Sequence, residues 1–161
     1  MTQANLWAPW RAEYVGRARA DGCIFCAFRE APDDPESLVV AAGRHALVAL
    51  NRFPYTSGHL MVAPLRHVGR IEDLTEGESS EIWRLTVRAK RTLDTLAHPD
   101  GYNVGWNLGS AAGAGVADHL HQHIVPRWCG DTNFMPVLGD VRVISEHLEK
   151  TRLALREEFG R

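Results

Sequence analysis

The chain has 161 residues and a formal charge of -2, which suits one domain with a core of its own and gives no basic field for nucleic acid or a membrane surface. No apolar run reaches the length of a membrane span, and the opening Met-Thr-Gln-Ala-Asn lacks the basic n-region and apolar h-region of a secretory leader. These features predict a cytoplasmic protein, in which three cysteines do not make a disulfide framework and any bound phosphate is held by local donors.

Residues 1–20 read as an N-terminal arm. Its Trp7, Trp10 and Tyr14 are expected to bury their rings on the domain or across a subunit interface. The core is expected over 21–135, with a helical extension over 136–161. Cys23-Ile24-Phe25-Cys26 opens the core and allows three readings: a metal knuckle, a redox pair, or two buried small residues. No thioredoxin-like pattern follows it to favour the redox pair.

Leu38 to Val40 and Ala46 to Leu50 read as strands around the turn residues Gly43-Arg44. His59 to Ala63 reads as a third strand, after Ser57-Gly58 and before Pro64. Thr75 and Glu78 form a capping box. It opens a helix to about Ala97 on the stripe Ile82, Leu85, Ala89, Leu93 and Leu96. Arg84, Arg88 and Arg91 fall on its solvated side. Pro99-Asp100-Gly101 ends it, and Tyr102 to Leu108 reads as a fourth strand. Gly109-Ser110-Ala111-Ala112-Gly113-Ala114-Gly115-Val116 is a loop of small residues, whose backbone N–H groups can approach an anion. A fifth strand is expected over His119 to Pro126, and a last helix over Ser145 to Phe159 with Leu148, Leu155 and Phe159 inward. Cys129 reads as a packing residue, and His45, His98 and His147 as surface residues. Strands, a helix, then more strands give an α+β fold with a largely antiparallel sheet.

The fifth strand carries the chemistry. In His119-Leu120-His121-Gln122-His123 the histidines alternate, so all three share one face of a strand, about 7 Å apart. Such a row either binds a metal or presents one imidazole as a nucleophile flanked by helpers.

This row resembles the His-x-His-x-His signature of the histidine triad superfamily. The stretch Asn51 to His67, with its Pro54, Gly58-His59 and Pro64-x-x-His67, resembles the family's upstream motif. Leu6-Trp7-Ala8-Pro9-Trp10-Arg11 and Asp131-Thr132-Asn133-Phe134 are similar to the bacterial branch near the diadenosine tetraphosphate phosphorylases and the fragile-histidine-triad dinucleotide hydrolases. The resemblance implies a half-barrel antiparallel sheet with one long helix and a C-terminal helix, built as a homodimer. It implies a nucleotide substrate, with His121 as nucleophile and His123 as donor to a phosphate oxygen. Asn51 would touch a ribose hydroxyl. Asn107, with Asn103 as its rival, and the loop glycines Gly113 and Gly115 would hold phosphate. It also implies one structural zinc on Cys23, Cys26, His67 and His119, with His59 as the alternative to His67. One departure stands out. Relatives often place Ser, Thr or Gln just ahead of the triad, where this chain has Gly115-Val116-Ala117-Asp118. Backbone donors, Ser110 or Asp118 would have to substitute. A nucleoside phosphoramidase, a nucleotide-binding module with little turnover, and a hydrolase whose metal sits on all three histidines are the competing readings.

Overall fold

The computed structural model describes residues 22–34, 37–131 and 148–160. Trp7, Trp10, Tyr14, Phe134 and His147 lie outside the described residues. The elements run α1 (Ile24–Glu30), β1 (Val39–Ala42), β2 (Ala46–Leu50), β3 (Leu60–Pro64), α2 (Glu76–Ala97), β4 (Gly101–Trp106), β5 (Gln122–Arg127) and α3 (Leu148–Gly160). The strands form one open sheet in the order β1-β2-β3-β5-β4, antiparallel at every pair. This is the expected α+β fold.

The two central strands show why the sheet has two covered faces. Every residue of β2 and β3 is buried, and their sequences are apolar throughout, as strands need when both faces are covered. Val48, Leu50, Leu60 and Val62 pack towards Ile82, Leu85, Ala89 and Leu93 of α2 and towards Leu155 and Phe159 of α3. Leu47, Ala49, Met61 and Ala63 pack on the other side against Phe25 and Phe28 of α1. The C-terminal helix thus closes the larger core. Arg88 is tied to this packing instead of being only solvated: its guanidinium lies 4.9 Å over the Phe159 ring.

Helix α2 begins as its sequence dictates. The Thr75 hydroxyl accepts from Glu78 N–H at 3.2 Å, and the Glu78 carboxylate accepts from Thr75 N–H at 2.9 Å. Glu78 also takes a forked pair from Arg66 at 2.9 and 2.8 Å, which ties the helix start to the segment bearing His67. Leu96 is 42% exposed, because it follows Leu93, the last core residue of the helix.

Several boundaries and placements differ from expectation. β4 stops at Trp106 and β5 starts only at Gln122, so His119 and His121 sit on the approach to the strand. A short helix, α1, precedes the strands, with Cys23 as its N-cap. Cys129 is exposed, not packed. It lies in the turn after β5, where its N–H donates to Asp100 Oδ2 at 2.7 Å.

Candidate active site and metal knuckle

The alternation of the triad survives the late start of β5. Gln122 and Ile124 face α2: the Thr86 hydroxyl donates to the Gln122 amide oxygen, and Ile124 joins the larger core. The histidines face α1. Phe25 lies 5.1 Å from the His119 ring and 4.9 Å from the His121 ring, centroid to centroid. His121 and His123 are 4.9 Å apart at 70°, closer than the backbone repeat, because the rings turn edge to face.

His119 parts from the other two. Its Nδ1 meets Cys23 Sγ at 3.1 Å, Cys26 Sγ at 3.8 Å and His67 Nδ1 at 3.3 Å, while Cys26 Sγ is 3.4 Å from His67 Nδ1. The four ligand atoms all lie within 4.8 Å of one another. A tetrahedral ion with Zn–N near 2.0 Å and Zn–S near 2.3 Å gives edges of roughly 3.3–3.8 Å, so the four side chains fit one ion. The other ring nitrogen of His119 donates to the Pro64 carbonyl at 2.8 Å, which leaves Nδ1 as the lone-pair donor, the usual support for a metal-bound histidine. Helix α1 makes this possible by setting Cys23 at its N-cap and Cys26 three residues on. The loop carrying His67 is held by the Leu120 N–H, which donates to the Val68 carbonyl at 2.7 Å. A Cβ on Gly69 would stand 3.1 Å from Asp118 Cα, so glycine lets these two backbones close up beside the ligands.

His121 is set up differently. It is 5% exposed, and its Nδ1 donates to the His119 carbonyl at 2.9 Å. That bond fixes the proton on Nδ1 and leaves the Nε2 lone pair bare. Burial pushes its pKa down, and the bond to the His119 carbonyl partly opposes this. The ring is neutral near pH 7, as a nucleophile requires.

His123 is governed by His59, whose ring nitrogen lies 3.0 Å from its Nδ1. His59 points inward and is fully buried, so it is not the alternative to His67. Its Nδ1 accepts from Tyr55 N–H at 3.1 Å, so its own proton lies on Nε2, which donates to His123 Nδ1 at 3.0 Å. A neutral His123 must then carry its proton on Nε2. Burial, and then the neighbouring His121, press the His123 pKa down to about 4. The Asn107 amide lies 3.4 Å from His123 Nε2, where a half-turn of the amide presents its oxygen to that N–H. The result is one bare nitrogen on His121 beside one N–H on His123. The signal for His59 lies in the strand pairing. Met61 sits opposite His123, so a histidine just ahead of β3 reaches the same site, but only once β3 is known to neighbour β5.

The other expected ligands divide. Asn103 is engaged elsewhere, its Oδ1 accepting from Arg127 at 2.8 Å. Asn51 is buried at the end of β2, and its Oδ1 accepts from Phe53 N–H at 2.9 Å, which braces the turn leading to His59. Gly113 follows the 3₁₀ turn Ser110–Ala112 with φ 88°, in a loop open to solvent. Ser110 and Asp118 are both exposed.

The chain is similar to known proteins over most of its length. The profile of the HIT domain matches residues 33–129. A Mycobacterium tuberculosis protein described as AP-4-A phosphorylase is 43% identical over 165 aligned residues, spanning 98% of this chain and 85% of that one. Protein hit of Bacillus subtilis is 30% identical, over 68% of this chain and 73% of that one. Among solved structures, a Zn-bound histidine triad family protein from Mycobacterium smegmatis superposes with a TM-score of 0.67 at 25% identity, covering 86% of this chain and 94% of that one.

Proposed function

This chain belongs to the HIT domain family, and from that premise we propose that it is a nucleotidyl-transfer enzyme cleaving a dinucleoside polyphosphate, such as diadenosine tetraphosphate, at the α-phosphate. The observation that carries the reading is the paired state of His121 and His123: a bare Nε2 on one ring beside an N–H on the other. In this reading the His121 Nε2 lone pair attacks the α-phosphorus. The phosphorus–oxygen bond to the leaving polyphosphate breaks, and its electron pair departs with that group. His123 Nε2–H donates to a phosphate oxygen as charge builds, an effect worth about 3–4 kcal/mol for one donor. The nucleotidyl-histidine is then opened by inorganic phosphate or water, which breaks the phosphorus–nitrogen bond and frees His121. The name of the mycobacterial relative supports phosphate as the acceptor. Asn51, Asn107, Gly113 and Gly115 are assigned to the nucleotide and its phosphates.

One zinc on Cys23, Cys26, His67 and His119 completes the proposal. With four protein ligands such a site is closed, so the ion contributes folding energy and not a reacting water. The hydrolase reading, with a metal on all three histidines, finds no support, because the metal-holding group includes His119 but neither His121 nor His123. A cytoplasmic setting belongs to the same reading, since the ligand thiols must stay reduced. No helix among the described residues is long and apolar enough to cross a membrane. A homodimer is also proposed. It is supported by Trp83, 65% exposed, and by the sheet-edge residue Val104, 45% exposed, and a monomer mass in light scattering at micromolar concentration would reject it.

The test is incubation with diadenosine tetraphosphate, with and without inorganic phosphate. ADP and ATP formed only with phosphate mark a phosphorylase; AMP and ATP formed without it mark a hydrolase. No product under either condition, with cleavage of an AMP–amine bond instead, would replace the proposal with the phosphoramidase.

A further inference from the structure

The Cys-x-x-Cys knuckle encloses a residue that packs on the His121 ring. Phe25 is 1% exposed. Its ring lies 4.9 Å from His121 at 32° and 5.1 Å from His119 at 43°. Phe28 lies edge-on to it at 6.1 Å, and both belong to one buried cluster with Val39, Leu47, Ala49, Met61 and Ala63. Helix α1 thus offers Cys23 and Cys26 to the metal group and Phe25 to the sheet. The metal group ends at His119, whose own carbonyl accepts the His121 Nδ1–H.

We propose that Phe25 is a positioning residue for His121, and that the knuckle around it fixes both the plane and the proton location of the nucleophile's ring. Two constraints meet on that ring. The His119 carbonyl sets which nitrogen carries the proton, and the flat face of Phe25 sets the angle at which that nitrogen lies. A ring free to turn away from the carbonyl can move its proton to Nε2, which removes the lone pair that attacks. Anchoring α1 through two thiolates keeps Phe25 in register with His119 and His121. A flexible side chain of similar volume fills the space but presents no face. The catalytic part of this inference rests on His121 being the nucleophile.

The test uses the zinc-loaded full chain with ¹⁵N-labelled histidine. Long-range proton–nitrogen NMR reads which nitrogen of His121 carries its proton, with the signals assigned by their loss in His121→Ala. Zinc content and steady-state rates are measured alongside in Phe25→Leu and Phe25→Met. The expected result is a proton held on Nδ1 in the wild type and mixed tautomers in the variants. Zinc stoichiometry should be unchanged and KM kept within about threefold, while kcat falls ~10–100-fold, the loss that small misplacement of a reacting group causes. Unchanged tautomer and kcat in both variants would overturn the proposal. So would loss of zinc or of the fold in both, which would make Phe25 a packing residue only. If the tautomer shifts as expected but the wild type forms no nucleotidyl adduct, positioning of the ring stands and the nucleophile assignment falls. If the adduct forms on His121 in both variants at the wild-type rate, positioning falls alone.

Discussion

His59 offers a perturbation whose size follows from two hydrogen bonds. Its Nδ1 accepts from Tyr55 N–H at 3.1 Å, and its Nε2 donates to His123 at 3.0 Å. An asparagine places its amide oxygen near the position of Nδ1, and a glutamine places its amide nitrogen near that of Nε2. His59→Asn therefore keeps the Tyr55 bond and drops the donor to His123, while His59→Gln keeps the donor. Without it, His123 can hold its proton on either nitrogen. The lost preference is that of one buried hydrogen bond, about 1–1.5 kcal/mol, which takes the required tautomer from about nine tenths of the molecules to about one half, so kcat should fall roughly twofold in His59→Asn. The ceiling is the complete loss of one transition-state donor, about 10²–10³-fold, which is the effect expected of His123→Ala. His59→Gln should keep the wild-type rate. Initial rates with diadenosine tetraphosphate at saturating phosphate make the comparison. Equal rates for His59→Asn and His59→Gln, or no loss in His59→Asn, would refute the argument that His59 sets the proton on His123.

Elemental analysis of protein never exposed to chelator should return about one zinc per chain, and Cys26→Ser should lose it together with thermal stability; under a tenth of an equivalent in the wild type would reject the site. Gly69→Ala should destabilise the fold by about 1–2 kcal/mol and weaken zinc retention, since its Cβ would crowd Asp118 Cα at 3.1 Å and force the His67 and His119 segments apart; a melting temperature and zinc content equal to wild type would count against that close approach. The Arg66 fork and the capping box hold the Glu78 carboxyl down at about 2, against the usual 4.5. A lowered carboxyl stabilises the fold above its unfolded pKa and loses that contribution as pH falls from about 4.5 towards about 2. Arg66 is 48% exposed and solvent screens the pair, so Glu78→Gln should cost about 1–2 kcal/mol at pH 7. The gap should narrow in denaturant titrations below pH 4.5, and a gap that stays constant with pH would show that the charge is irrelevant.

Local signals carried much of this structure. The capping box, the apolar stripe to Leu93 and the two fully buried strands were legible because each depends on neighbours within a few residues. The alternation of the triad was legible too, and it held through His119 and His121 although neither lies within β5. The sequence pattern could not show which rings share a proton. His59 reaches His123 across 64 positions, through the pairing of β3 with β5, and no local periodicity announces that neighbour. Phe25 was hidden for a related reason: between two cysteines it reads as filler, and its contacts with His119 and His121 depend on where α1 packs in three dimensions. Cys129 misled because apolar character suggested packing, while its place in an exposed turn decided otherwise.

In the proposed mechanism the nucleotide is carried on His121. The direct measurement is acid-quench trapping of nucleotidyl-enzyme from labelled diadenosine tetraphosphate, in wild type and in His119→Ala, His121→Ala and His123→Ala. Adduct is expected on His121 in the wild type and none in His121→Ala, although that variant should still bind substrate through Asn51, Asn107 and the loop. Adduct should form slowly in His123→Ala, and His119→Ala should be weakened by zinc loss. Adduct accumulating in His121→Ala at the wild-type rate would contradict the assignment and the mechanism built on it.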